Sequence, residues 1–483
     1  MHETSSDSIV TDELTLNYHL MHPGNKSGPG DPNVAFYLDG VYHLHYILCH
    51  PWQGQHSFAF VHVTSPDMLH WTWQTTKLQP SFTNHGTYSG TGFITKEGQP
   101  AAIYHGTSGR NQIAIAKDNH LNWEKPYPVE PKTAEGQDVD ITHWDPDCFL
   151  IGDTYYAISG GQNPPLIKSK DLTSWTFVGN FLKYELPDVA IGEDISCPNF
   201  FPLDGKYMLL CISHQFGCRY YLGNWDTKAE QFVPETHGRM NWKRPEQCIY
   251  DLDCRDFFAP ESLLTPDGRR VMWAWLVTLD EAIRQRTVQC LPRELSLSED
   301  GGLRFRPLRE LESLRHTAVT LKDLGITSPK WENGKMITPL LTKLNYDAFE
   351  VRITIDRTEA WRKRFGFQLF ADENHVGLPI MICPETATLQ VGDTEAPFAV
   401  TDLPEKEDLE LRIFIDKYLV EVFANNRQAV VAAHMDYQSA KGLHGYTFGG
   451  TMTIKQIEIW RLNPTNQGFF DAKQNRVWEP DEE

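Results

Sequence analysis

Two textures of hydrophobic and polar residues divide the chain. Beyond Pro307, the runs 351–356, 365–370, 411–416 and 419–423 alternate apolar and polar side chains. A period of two marks half-buried antiparallel strands, and the Asp, Asn and Gly turns between them predict a β-sandwich. Before Pro307 the β-prone runs are short, among them Val41–Tyr46, Thr154–Ile158 and Lys206–Cys211. Turn signals set them apart: Asp39-Gly40, Gly152-Asp153, Asp204-Gly205 and Asp267-Gly268. Each predicts a hairpin. Helix is scarce, with helix-tolerant sequence at Arg309–Leu314, near the expected junction.

The N-terminal part also carries a hidden repeat. Asp67…Trp71, Asp118…Trp123 and Asp171…Trp175 share an ending, and Trp225 is a looser echo. The tryptophans lie 52, 52 and 50 residues apart. That spacing fits a four-stranded unit of about 40–50 residues, the size of a propeller blade. The expected architecture is therefore all-β: a five-bladed β-propeller over 1–310, a linker over 311–334 and a β-sandwich over 335–483.

A length of 483 residues suits two or three domains. The net charge of −20 disfavours nucleic acid or an anionic membrane as a partner. No apolar run approaches the roughly 20 residues needed to span a bilayer. Nine cysteines without a CxxC pair are read as mostly buried, reduced thiols rather than a zinc site. The first residues lack the basic-then-apolar plan of a secretory signal, so the chain as written reads as cytoplasmic, or as secreted if a leader was trimmed; the sequon at Asn25 does not alter this.

The chemistry is expected where acidic residues occupy unusual settings. Asp31 lies in a Gly-Pro-Gly run, Asp145 follows Trp144 and precedes Pro146, Glu193 and Asp194 open an apolar strand, and Asp256 precedes Phe257-Phe258. One Asp-Pro alone is a turn or a cap. Recurrence near the start of successive blades instead brings Asp31, Asp145, Glu193 and Asp256 to one channel mouth. Carboxyls gathered in a partly dry pocket separate in pKa, leaving one ionised and another protonated, which is what glycosidic cleavage requires. Trp52, Tyr88, Trp144 and Phe200 are candidates to pack on sugar faces or to fill blade cores. His43, His45 and His62 form no tight ligand cluster, so no metal is expected. A phosphate loop and a GxSxG elbow are both missing from the sequence.

These motifs resemble glycoside hydrolase family 32, the fructan-cleaving family of invertases, inulinases, levanases and related fructosyltransferases. The resemblance spans about residues 17–460. It rests on Gly30-Asp31-Pro32-Asn33, Val61–Trp71, Tyr88-Ser89-Gly90-Thr91, Trp144-Asp145-Pro146, Arg255–Pro260, Arg269–Trp275, Leu291–Leu295 and Leu411–Phe423. It implies a five-bladed propeller joined to a sandwich, Asp31 as nucleophile, Asp145 as transition-state stabiliser and no cofactor. Asn33, Trp52, Tyr88, Ser89, Trp144, Asp194 and Asp256 are the implied substrate contacts.

Three departures stand out. A Gly-Pro-Gly run replaces the Trp and Asn that come before the nucleophile in the family. Trp144 takes the place of an arginine. Ser196 precedes Cys197-Pro198 where the family reads Glu-Cys-Pro. The acid/base is therefore expected at Glu193, carried back to the pocket by a bulge, with Asp194 as the alternative. The implied activity is retaining hydrolysis of β-fructofuranosidic bonds in sucrose or fructans through a fructosyl-enzyme. Two rivals are a fructosyltransferase, with an altered rim at Trp144 and His56–Phe58, and a non-catalytic fructoside-binding propeller.

Overall fold

The computed structural model describes residues 14–24, 28–52, 55–75, 77–78, 87–106, 109–119, 121–124, 126–240, 256–277, 288–361, 363–372 and 377–478. The side chains of residues 50–52, 55–57 and 256 lie outside that description.

Five antiparallel sheets follow one another up to Pro307, each built around four strands in chain order. Their first strands are Gly28–Leu38, Gly90–Ile94, Asp147–Ile151, Ser196–Leu203 and Asp256–Leu264. Each of these touches the next, and the fifth returns to the first. The closed ring of first strands is a propeller, consistent with five blades. The turn signals fall where the first strand of a sheet reverses into the second. Asp39-Gly40 and Asp204-Gly205 both have positive φ at each residue, the type I′ geometry that matches strand twist.

The tryptophan repeat has a local cause. In the turn between third and fourth strands, Asp67 Oδ1 accepts from the backbone N–H of Leu69 and His70, at 3.0 and 2.8 Å. Asp171 Oδ1 does the same for Thr173 and Ser174, at 2.9 and 2.8 Å. The residue after each Asp, Met68 or Leu172, has φ near +65° and is buried. An Asx turn holds that left-handed residue in place, and the buried tryptophan follows four positions after the Asp. Trp225 lies instead at the end of a third strand, Gly217–Asp226, which is why its echo is looser.

The remaining strands form two six-stranded sheets and a small hairpin, Lys330–Glu332 with Lys335–Ile337. The four alternating runs read from the sequence are strands within Ala348–Ile355, Phe365–Ala371, Leu409–Asp416 and Leu419–Ala424. Arg309–Leu314 is a 3₁₀ helix. The expected linker differs from the structure: Arg315–Ile326 is a strand paired with Met452–Leu462, so the sandwich starts earlier than residue 335. Among the described residues, no helix is long and apolar enough to cross a membrane.

The hairpin of strands Leu409–Asp416 and Leu419–Ala424 is locked to the propeller by buried charge. Asp416 accepts from the backbone N–H of Asn17, Tyr18 and His19 and lies 2.9 Å from His19 Nδ1. Glu421 binds Arg293 Nη2 at 3.0 Å and the Leu291 N–H at 2.8 Å, and lies 3.4 Å from His19 Nε2. Burial alone would lower the His19 pKa, but hydrogen bonds to Asp416 and Glu421 outweigh it and raise it to about 9. A histidine raised in the folded state stabilises fully below its unfolded pKa of about 6.5, and loses that stabilisation as pH rises through the folded value. Unfolding free energy should therefore fall by on the order of a few kcal/mol between about pH 6.5 and about pH 9. His19→Gln should flatten that slope in denaturant titrations at several pH values.

Candidate active site

The backbone bends within or just ahead of four of the five first strands. The first, fourth and fifth contain register shifts at Asn33/Phe36, Ser196/Asn199 and Phe258/Pro260. Val34, Cys197 and Ala259 lie in these bulges with φ of 40°, 43° and 44°, and Asp145, just ahead of the third strand, has φ of 37°. Left-handed non-glycine residues cost about 1–3 kcal/mol each and cluster at functional sites. In the second strand Gly90 packs tightly on its neighbour: a Cβ there would stand 2.1 Å from the Ile103 carbonyl oxygen.

Buried polar side chains tie the bent strands together below the mouth. Glu261 accepts from the N–H of Ala35 at 3.0 Å and of Gly92 at 3.4 Å. Asp147 accepts from Thr91 Oγ1 and the Phe200 N–H, both at 2.7 Å. Asn199 accepts from Ser262 Oγ at 2.8 Å. Burial raises both carboxyls, Asp147 to about 6 and Glu261 well above the usual range. This belt was invisible in the sequence, where Asp147 and Glu261 look like ordinary strand residues.

Above the belt, Asp31 and Asp145 come together on either side of one side chain. Cys197 Sγ lies 3.7 Å from Asp31 Oδ2 and 3.4 Å from Asp145 Oδ2. Ser89 Oγ donates to Asp31 Oδ2 at 2.6 Å, and the Cys197 N–H donates to Asp145 Oδ2 at 3.1 Å. Burial raises the Asp31 carboxyl, opposed by the Ser89 and Cys197 hydrogen bonds. Burial followed by the charge of Asp31 pushes Asp145 up to about 6. Asp31 Oδ1 has no hydrogen-bond partner among the described residues.

The other expected residues divide. Ser89 is in place on Asp31. Tyr88 packs at a tilt on Phe58, 4.4 Å between ring centroids, and lies 5.6 Å from His105, which in turn lies 5.6 Å from Trp144. This aromatic row ends at Trp144, which is 47% exposed beside Asp145 and so open to a ligand face. Asn33, expected to touch substrate, is buried with both amide atoms engaged. Its Nδ2 donates to the Asp31 carbonyl at 2.9 Å and its Oδ1 accepts from the Gly90 N–H at 2.5 Å. It positions the Asp31 backbone instead. Phe200 is buried in the blade core against Phe149 and Phe181. The side chains of Trp52, His56 and Asp256 lie outside the described residues; the Asp256 backbone opens the fifth first strand.

Glu193 is where the structure departs most from expectation. Its carboxylate binds Arg239 through two bonds of 2.6 and 2.8 Å, and Arg219 Nη1 lies 3.2 Å away. Burial would raise its pKa, but Arg239 and Arg219 outweigh burial and hold it below the usual range. The fourth first strand does bulge, yet one residue past Ser196, at Cys197. A carboxylate clamped by two guanidiniums has no proton to give, so Glu193 is a structural ion and not the acid/base. Asp194 faces a different set of partners. It accepts from Ser196 Oγ at 2.8 Å and from the His214 N–H at 2.9 Å, with His214 Nδ1 at 2.6 Å. Burial opposes ionisation, but the His214 and Ser196 bonds prevail and bring Asp194 to about 2. Neither sequence-expected acid holds a proton near neutral pH.

His43 Nδ1 lies 3.0 Å from His62 Nε2, and His45 stacks on His62. Among the described residues, no group of three or more His, Cys, Asp or Glu side chains is arranged to hold a metal ion.

Comparison with known proteins bears on the family and the fold. Residues 24–307 match the glycosyl hydrolases family 32 N-terminal domain, and residues 310–461 match the glycosyl hydrolases family 32 C-terminal domain. A probable sucrose-6-phosphate hydrolase of Psychromonas ingrahamii is 27% identical, over 95% of this chain and 83% of that one. A raffinose invertase of Escherichia coli is also 27% identical, over 92% of this chain and 94% of the relative. Among solved structures, fructan 1-exohydrolase IIa from Cichorium intybus superposes with a TM-score of 0.72 at 18% identity, covering 94% of this chain and 98% of that one.

The Glu193 clamp has a measurable consequence. Glu193→Gln removes the carboxylate charge that Arg219 and Arg239 bind, and breaking a buried pair in this way costs about 3–5 kcal/mol. Chemical denaturation should show that loss. A variant as stable as the wild type would mean that the clamp contributes nothing.

Proposed function

The chain belongs to glycoside hydrolase family 32, and from that premise we propose that it cleaves the β-fructofuranosidic bond of a terminal fructosyl unit, in sucrose or a fructan, with retention of configuration. The observation that carries this reading is the convergence of Asp31 and Asp145 on Cys197. Asp31, its Oδ2 held by Ser89, keeps Oδ1 for attack on the anomeric carbon. The C–O bond to the leaving group breaks as the Asp31 ester forms, and water then releases fructose and returns the carboxylate.

Asp145 grips sugar hydroxyls as an acceptor, a task that requires its ionised form. Held by the Cys197 N–H, it is fixed in position before substrate arrives, so little reorganisation is needed as positive charge develops on the ring. The row Phe58, Tyr88, His105 and Trp144 ends in an exposed ring, Trp144, next to Asp145. Apolar faces of a sugar pack on such rings while its hydroxyls turn to the carboxylates. The exposure of Trp144 also favours a second reading, in which an acceptor sugar stacks there and captures the fructosyl group in place of water.

Asp31→Asn should abolish turnover of sucrose, inulin and levan while leaving the thermal unfolding curve in place. Activity within about tenfold of wild type would overturn the assignment. Product analysis separates the two readings: hydrolysis gives free fructose, transfer gives longer or cyclic fructosides. The acid side of the kcat/KM profile should fall below about pH 6 as Asp145 takes up its proton. Asp145→Asn should lower kcat and move that limb to lower pH, read from initial rates between pH 4 and pH 8 (about neutral and below).

A further inference from the structure

A retaining site needs a second group that gives a proton to the leaving oxygen and later takes one from water. Ser196 stands directly before Cys197-Pro198, and an aliphatic hydroxyl does not ionise near neutral pH. Its Oγ donates instead to Asp194 Oδ2 at 2.8 Å. The same carboxylate binds His214 at both ends, Oδ1 from the backbone N–H at 2.9 Å and Oδ2 from Nδ1 at 2.6 Å. The Asp194 carbonyl accepts from Arg219 Nη2 at 2.6 Å, which fixes the segment from behind. His214 directly follows the strand Lys206–Ser213, whose Ile212 pairs with Ser196, so it stands at the mouth end of the fourth sheet. Its ring packs edge-on against Phe258 of the fifth first strand at 5.7 Å. The side chain is 45% exposed, and Nε2 has no partner among the described residues.

We infer that His214, oriented through Nδ1 by Asp194, is the proton donor and acceptor of this active site, acting through Nε2 in place of a carboxyl at position 196. The inference rests on the reading of Asp31 as nucleophile. In the first step the glycosidic C–O pair stays on the leaving oxygen, which takes the Nε2 proton as Asp31 bonds to the anomeric carbon. In the second, neutral His214 takes a proton from water as the water oxygen attacks that carbon and the Asp31 ester breaks, restoring the imidazolium. Among the described residues, the charges that act on His214 include Asp194 from the strand entry, Asp31 from the first strand and Asp145 from the loop before the third. Phe258 is an apolar neighbour. The Asp194 hydrogen bond first, against the opposing effect of burial, and then the charges of Asp194, Asp145 and Asp31 raise the His214 pKa above its usual value, which favours the protonated ring. Asp194 is a positioning residue: it holds the ring and its tautomer and touches no reacting atom.

The test compares sucrose with β-fructofuranosyl fluoride, whose leaving group departs without a proton. His214→Ala should lower kcat/KM for sucrose by about 10²–10⁴-fold and for the fluoride by less than about tenfold. Azide should restore fluoride turnover in this variant, yielding fructosyl azide, because an anionic nucleophile needs no base. Asp194→Asn should move the basic limb of the sucrose profile to lower pH. Should His214→Ala fail to fold, His214→Gln is read by the same ratio. A folded variant that keeps its sucrose rate, or loses both substrates equally, overturns the inference while leaving an active wild-type enzyme. A wild type that releases no fructose from either substrate overturns the fructosidase reading itself, and the inference with it.

Discussion

The active site depends on one constraint, which is that five first strands are the inner edges of their sheets and meet around one axis. An edge strand presents backbone N–H groups that no ladder uses, and left-handed residues at Val34, Asp145, Cys197 and Ala259 bend the backbone among them. Carboxylates occupy those vacancies. Glu261 takes Ala35 and Gly92, Asp147 takes Phe200, and Asp145 takes Cys197. An unpaired buried amide costs on the order of 1–3 kcal/mol, so each acid helps to stabilise the bend that presents it. Backbone geometry and acid placement are therefore two sides of one arrangement.

That arrangement separates the acids by their neighbours. Glu193 and Asp194 are adjacent in the chain, yet both are driven to the ionised form by cations or donors gathered from elsewhere. Arg219 and Arg239 hold the first, while His214 and Ser196 hold the second. Among the described residues no guanidinium lies on Asp31 or Asp145, and burial moves both toward neutrality. Residue type alone does not distinguish these four carboxyls. Only the partners do.

The sandwich contributes rigidity where the propeller closes. Arg293 follows the short strand that returns to the second strand of the fifth sheet, and His19 lies in the segment leading to the first. Both bind the hairpin at Asp416 and Glu421, so the two ends of the propeller chain are held by one turn of the second domain. No side chain of that hairpin reaches Asp31 or Asp145 among the described contacts, and its role in this structure is bracing.

The sequence by itself determined the elements and the two-part all-β plan. Asx turns, type I′ hairpins and alternating strands are set by residues a few positions apart, so Asp67, Asp171, Asp39-Gly40 and Leu411–Asp416 were legible from spacing. It also singled out Asp31 and Asp145, through the recurrence of acidic residues near the starts of successive blades and the resemblance of their motifs to a known family. What only the tertiary structure decided was which acids hold protons. Glu193 is matched by arginines 26 and 46 residues away and Asp194 by a histidine 20 residues away, pairings set by strand register and not by local pattern. A pKa is a property of surroundings assembled at the end of folding, and no window along the chain contains those surroundings.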